Sequence, residues 1–171
     1  VNTWTYASVS GAAVPHGVGA VWAQGMWEVY WALVAQYGWS SDLYDATGGA
    51  GNQRAMLYHN EGLMNTACGP TFTQVRDGII QAAQSLHGGE DVCRLWTAFA
   101  AFGLGIDAIS NGPSSTSPVN GFNRPAACGG AAPLPPAALA AESVVGNTVT
   151  LRWTPPPGGL APTGYVVEGG A

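Results

Sequence analysis

Lysine is absent from this 171-residue chain, and charge of either sign is scarce. Charged residues make up 9% of the sequence, against about 25% in an average soluble protein. The cationic side chains are five single arginines: Arg54, Arg76, Arg94, Arg124 and Arg152. With ten acidic residues, the net charge is −5 and the pI about 4.8. Because phosphate binding needs clustered cations, we expect no nucleic-acid partner.

The scarcity of charge leaves one apolar run, Val18–Tyr37, that is long enough to cross a bilayer. Gln24 and Glu28 lie inside it, and an acid at the centre of a spanning helix costs about 2.5–3.5 kcal/mol. No basic residue precedes Arg54, so the run lacks the flanking cations that fix a membrane orientation. We therefore predict no membrane span but a central helix, buried except for a narrow polar stripe.

Hydrophobic period and capping residues predict three further helices in the first 110 residues. The second helix covers Gln53–Asn65, with Asn52 as its N-cap, after a Gly-rich loop. Its expected inward face consists of four large apolar residues: Met56, Leu57, Leu63 and Met64. The third begins with the capping-box pair Thr71 and Gln74, and the fourth begins near Asp91. Gly103 followed by Leu104 predicts a Schellman ending of the fourth helix.

The composition changes near residue 110, which divides the chain into three predicted parts. Residues 1–110 form the helical part and hold six of the seven tryptophans. Ten of the twelve prolines follow from Pro113 onward, and 111–133, which has no periodicity, is predicted to be a linker. Residues 134–171 resemble the start of a fibronectin type III domain, with strands near 137–141, at 148–153 and at 164–168. This β segment is too short to complete such a sandwich.

No motif of the sequence forms a self-contained catalytic or metal site. The three histidines, His16, His59 and His87, include no pair at i, i+4 and no H-E-x-x-H sequence. His59-Asn60-Glu61 imitates the H-x-E of zinc deaminases, but the P-C-x-x-C that must accompany it is missing. The Gly48–Asn52 loop lacks the Lys-Ser/Thr pair of a phosphate-binding loop. From these motifs alone, the sequence indicates a helical domain and identifies no catalytic or metal site.

A resemblance to a known family extends this interpretation. The sequence VPHGVGAVWA at 14–23, followed by WEVYW at 27–31, is similar to the C-terminal half of the catalytic domain in fungalysin-family secreted metallopeptidases. Four more segments follow the same family order: NTWTY at 2–6, GGAGN at 48–52, ACGPTF at 67–72 with Arg76-Asp77, and CRLWTAF at 93–99. The resemblance covers about residues 1–108.

The resemblance implies a mainly α chain, the helical C-terminal subdomain of a thermolysin-like zinc metalloendopeptidase. It implies secretion, protein or peptide substrates, and a zinc whose ligands lie in an N-terminal half before Val1. By the same resemblance, His16 is the catalytic residue of this part and donates to the oxyanion formed on the scissile carbonyl. The acid that orients such a histidine is absent from the window Ser8–Ala13. We expect the chain alone to bind no zinc and to be inactive.

Family position also implies a disulfide between Cys68 and Cys93, since an exported protein folds in an oxidising compartment. Cys128, in the predicted linker, is expected to be unpaired. Two other functions stay open. One is a non-catalytic extracellular adhesin module joined to fibronectin-like repeats, and the other is a catalytically dead relative of the peptidase.

Overall fold

The computed structural model describes residues 3–45, 47–129 and 137–154. Its four helices are α1 (His16–Tyr37), α2 (Gly51–Met64), α3 (Phe72–Leu86) and α4 (Val92–Ala101). Two short 3-10 turns, Tyr6–Val9 and Ala126–Cys128, flank the helices, and two strands follow: β1 (Ala137–Val145) and β2 (Thr148–Thr154). The prediction of a mainly helical chain with a small β segment is confirmed. The strand predicted at 164–168 lies outside the described residues.

Local capping bonds are present where α3 begins and where α4 ends. The Thr71 hydroxyl accepts a hydrogen bond from the Gln74 amide at 3.2 Å, and the Thr71 amide donates to Gln74 Oε1 at 2.9 Å. After α4, the Leu104 amide donates to the Phe99 carbonyl at 2.7 Å, with Gly103 at φ +90°. The predicted capping box and Schellman ending are therefore both confirmed.

The predicted N-cap of α2 is wrong, because the helix begins one residue before Asn52. The N-cap residue is Ala50, and its backbone N–H donates to Gln53 Oε1 at 3.0 Å. Asn52 lies buried inside α2, where its side-chain amide donates to the Ser40 carbonyl and accepts from the Ser40 amide. This paired contact closes the loop between α1 and α2, so the side chain cannot also cap the helix.

One core cluster joins all four helices, and glycines bring two helix pairs close together. On α1 the buried positions recur every four residues: Val21, Gly25, Val29 and Leu33. A Cβ on Gly51 would lie 2.3 Å from the Leu33 backbone, so α2 begins in direct contact with α1. A Cβ on Gly62 would lie 2.6 Å from the side chain of Ile79, which sets the α2–α3 contact. Small residues at these points fix how the helices pack.

The opposite side of α1 differs from the expectation of a narrow polar stripe. Besides Glu28, to which Gln24 donates a hydrogen bond, this side exposes the large rings of Trp27 and Trp31. Among the described residues, no helix combines the length and the apolar character that crossing a bilayer would require.

Part of the segment predicted to be a linker, 111–133, is bound to the helical unit. The Gly121 amide donates to the Gly103 carbonyl at 2.8 Å, and Gly121 accepts from Gly105 at 2.7 Å. Asn120 Oδ1 accepts from the Ala7 amide at 2.7 Å, more than one hundred residues away in sequence. Residues of the stretch 119–128 are therefore bonded to the helical unit, while the predicted division into a helical part, a linker and a further domain stays a prediction.

The two strands form an antiparallel hairpin, with Val145 opposite Thr148 and Val144 opposite Val149. Its register shifts between Ala137 and Ala140 and again between Ala141 and Ser143. In β2, Leu151 and Trp153 are half-buried while their neighbours are exposed, which is the alternation of a strand with one covered face.

Candidate functional site

His16 is the first residue of α1, and its imidazole is exposed. The turn before it is fixed by main-chain bonds, since the Ala13 carbonyl accepts from Gly17 at 2.6 Å and from Val18 at 3.3 Å. The Pro15 carbonyl accepts from Gly19 at 3.0 Å. Backbone bonding therefore holds the α carbon of His16, while the ring faces solvent at the N-terminal end of the helix.

Within the described residues, no side chain holds the His16 ring by a hydrogen bond or ion pair. The preceding window, Ser8–Ala13, contains no acid, and the first turn of α1 contains none either. Near the start of α1, a cavity of about 340 Å³ is bordered by Trp4, Ser8 and Gly17, and His16 does not line it. The residues that border this cavity are uncharged, so it brings no acid or base to His16.

The described residues do not form a metal-binding site on their own. His16, His59 and His87 lie in α1, in α2 and directly after α3, and the part of the chain described here brings no three His, Cys, Asp or Glu side chains together. A catalytic zinc site takes three protein ligands. The expected zinc therefore has no site in this part of the chain.

His59 lies in an apolar groove between α1 and α2. The groove has a volume of about 330 Å³; α1 contributes Trp22, Met26, Trp27 and Tyr30 to it, and α2 contributes Met56 and His59. Burial lowers the pKa of His59, because the charged imidazolium loses its hydration there. Its ring lies 6.4 Å from the Trp22 ring. This setting favours a neutral histidine that packs, and it adds no acid or base to the His16 site.

A second group of ionisable side chains surrounds Asp91, whose carboxylate is fully buried at the start of α4. Tyr37 and Tyr58 each donate a hydroxyl at 2.9 Å, and Arg54 donates at 3.0 Å. Burial alone raises the pKa of Asp91, but these hydrogen bonds and the guanidinium charge outweigh it and lower the pKa below its usual value. Arg54 also pairs with Glu90.

The Asp91 group joins the C-terminal end of α1 to α2 and α4. Because its members satisfy one another and the carboxylate has no exposed surface, it is structural. In the sequence, Asp91 is recognisable only as a helix start. The tyrosines and Arg54 that bind it are 33 to 54 residues away, and no local pattern connects them.

The disulfide expected between Cys68 and Cys93 is wrong: Cys93 is bonded to Cys128, with the two α carbons 5.1 Å apart. Cys68 is an exposed free thiol in the loop between α2 and α3. The 15 residues of α3, about 22 Å long, separate Cys68 from the start of α4. The turn Ala126–Cys128 instead lies next to α4. Cys128, which was expected to be unpaired, is therefore the partner of Cys93.

Residues 1–108 match the model of the family described as fungalysin metallopeptidase (M36). The chain belongs to the fungalysin metallopeptidase family. It is 38% identical over 131 residues to extracellular metalloproteinase 2 of Trichophyton tonsurans, covering 74% of this chain and 20% of the relative. It is 42% identical over 112 residues to extracellular metalloproteinase MEP of Pyricularia oryzae, covering 63% and 18%. The chain therefore spans about a fifth of the length of these fungalysin relatives.

The matched range contains His16, the four helices and the Asp91 group. It ends before the hairpin, about which the family assignment says nothing.

Proposed function

We propose that this chain is the helical part of the catalytic domain of a secreted, thermolysin-like metalloendopeptidase that hydrolyses peptide bonds in extracellular proteins. The observation that carries the proposal is the exposed His16 at the N-terminal end of α1, inside the range that matches the fungalysin family. Relatives named extracellular metalloproteinases support the enzyme over an adhesin module.

The role that fits His16 is hydrogen-bond donation to the oxyanion of the tetrahedral intermediate. When water attacks the scissile carbonyl, negative charge develops on its oxygen, and a donor aimed there lowers the barrier. The N-terminal end of α1 carries the positive end of the helix dipole, and no acid in the first turn offsets it. Since the described residues do not form a metal site, no step of this role is derived through a metal.

Replacing His16 in the full-length enzyme tests this role. We expect His16→Ala to lower kcat about 10²–10³-fold, the effect of removing one oxyanion donor. KM, metal content and melting temperature stay near wild type, because the exposed ring has no partner among the described residues. Ser85→Ala, an exposed position on α3, is the matched control and keeps full activity.

Survival of kcat within a few-fold in His16→Ala, or a loss that follows unfolding, contradicts the role. A folded, metal-loaded wild-type enzyme that cleaves no protein identifies the dead relative instead.

We further propose that residues 134–171 begin a fibronectin type III domain. The antiparallel hairpin and its exposed apolar residues, among them Leu139 and Val145, support a sheet that is completed by further strands. A solution structure of the full-length tail in which the hairpin stays two-stranded contradicts this assignment.

A further inference from the structure

The dipeptide Asn-Gly occurs twice in the chain, at Asn111-Gly112 and at Asn120-Gly121. In such a dipeptide the glycine nitrogen can attack the side-chain amide of the asparagine, because glycine has no Cβ to obstruct the approach. The two dipeptides are 9 residues apart in sequence, yet the structure places them in opposite environments. They therefore form a matched pair that shows where the fold allows this attack and where it prevents it.

Asn111-Gly112 lies in an exposed loop. The loop is closed at its base by Ile109 and Val119, whose amides each donate to the other's carbonyl, at 3.0 and 2.8 Å. Both residues of the dipeptide have positive φ, +55° and +103°, so the chain turns sharply there. Asn111 is exposed, and the Gly112 amide donates to the Ser110 hydroxyl at 3.2 Å. Water therefore reaches the side-chain amide, and the bonds that restrain the dipeptide lie within the loop itself.

Asn120-Gly121 is instead bonded to the helical unit. The Asn120 side chain accepts from the Ala7 amide at 2.7 Å and donates to the Thr5 hydroxyl at 3.0 Å. Gly121 is buried, and its amide donates to the Gly103 carbonyl at 2.8 Å. All three bonds must break before the glycine nitrogen can reach the side chain, and each bond contributes about a fivefold factor to such a local opening.

We infer that Asn111 is a site of spontaneous deamidation, with water as the co-reactant, and that the modification releases the loop 111–117. The Gly112 nitrogen forms a bond to Asn111 Cγ, and the side-chain nitrogen leaves as ammonia, together with the proton of the Gly112 amide. The product is a succinimide ring. Water then adds to one of the two ring carbonyls and opens the ring, which gives aspartate or isoaspartate and one additional negative charge.

The amide that is lost is the group that holds the loop closed. Asn111 Nδ2 donates to the Ser117 carbonyl at 2.7 Å. An ionised carboxylate only accepts hydrogen bonds, so it cannot restore this bond and it repels the carbonyl oxygen. The pairing of Ile109 with Val119 uses no group of the dipeptide. The loop therefore opens while its base stays closed.

Peptide mapping of the full-length protein tests the site, because both dipeptides are compared in one molecule. The protein is incubated at mildly alkaline pH, folded and in urea, and deamidation is followed by the mass gained when O replaces NH. The rate in urea is the reference for each dipeptide. We expect folding to slow the reaction of Asn111 less than about tenfold and that of Asn120 at least about a hundredfold. Equal protection of the two, or a faster reaction at Asn120, overturns the inference.

Limited proteolysis with proteinase K tests the release of the loop. We expect cleavage within 112–117 to be about fivefold faster in Asn111→Asp and in the deamidated protein than in fresh wild type, the factor for one lost bond. Asn147→Asp makes the same charge change in the exposed turn between β1 and β2, and as the matched control it leaves this cleavage unchanged. Equal cleavage of Asn111→Asp and wild type overturns the release of the loop. Neither measurement uses activity, so both are independent of the role proposed for His16.

Discussion

Removing the Cys93–Cys128 disulfide is the sharpest test of how the end of the family-matched segment is attached to the helices. The bond closes a loop of 35 residues, for which the chain-entropy relation gives about 4 kcal/mol of stabilisation. For a helical unit of this size, that free energy corresponds to a fall in melting midpoint of roughly 10–15 °C. The variant is Cys93→Ala with Cys128→Ala, since a single replacement would leave a second free thiol that oxidation in air can join to Cys68 in a new disulfide.

The assay is urea unfolding followed by tryptophan fluorescence, with and without a reductant. We expect the double variant to unfold at lower urea than oxidised wild type and to match reduced wild type. Cys68→Ala is the control. Its free energy of unfolding stays within about 0.5 kcal/mol of wild type, because the thiol is exposed and free. A Cys68–Cys93 peptide in a non-reducing digest, or a Cys68→Ala loss as large as that of the double variant, refutes the reasoning.

Two further changes test the packing of α1. Gly51→Ala lowers the free energy of unfolding by about 2 kcal/mol or more, because its Cβ would lie 2.3 Å from the Leu33 backbone; Gly49→Ala, which meets nothing within 4 Å, is the neutral control in the same thermal melts. Asp91→Asn costs about 3 kcal/mol at pH 7, since it leaves Arg54 without its buried partner. Because the folded pKa of Asp91 is depressed, its stabilisation is complete above the unfolded pKa near 3.9 and is lost as pH falls below it. Urea midpoints between pH 7 and 2 therefore fall less steeply for Asp91→Asn than for wild type, and parallel curves contradict this.

Features of the fold that depend on neighbouring residues were predictable from the sequence. The Thr71–Gln74 capping box and the Gly103–Leu104 ending each lie within a few residues, and both are present. α1 begins two residues before its predicted start and ends at the predicted Tyr37. Such signals need no knowledge of which elements meet, because the chain supplies both partners of each hydrogen bond locally.

Features that depend on distant residues were not predictable, and α2 shows why. Its large apolar residues were expected to face inward, yet Met56 and Met64 are exposed, and Ala55, Tyr58 and Gly62 are buried. α2 contacts both α1 and α3 through glycines, and such close approach leaves room for small side chains only. The hydrophobic period identified the helix but could not indicate which neighbour would take which face.

The cysteines show the same limit. A pairing carried over from family position gave Cys68–Cys93, whereas the structure pairs Cys93 with Cys128. No local pattern indicated that Cys128 lies against α4, or that Asn120 accepts from the Ala7 amide 113 residues away, because both contacts join residues distant in sequence. Irregular sequence therefore gave no indication of these contacts.

The candidate site depends on α1 being held at both ends. Towards its start, Val21 is buried and a Cβ on Gly25 would lie 3.0 Å from the Phe102 ring, and at its last residue Tyr37 donates to the buried Asp91. The two ends are about 32 Å apart along the helix. A helix fixed in this way holds His16 in one position relative to the core that the four helices share. Changes at Asp91 should therefore alter how much of the protein is folded, while the catalytic rate of each folded molecule is set at the other end of α1.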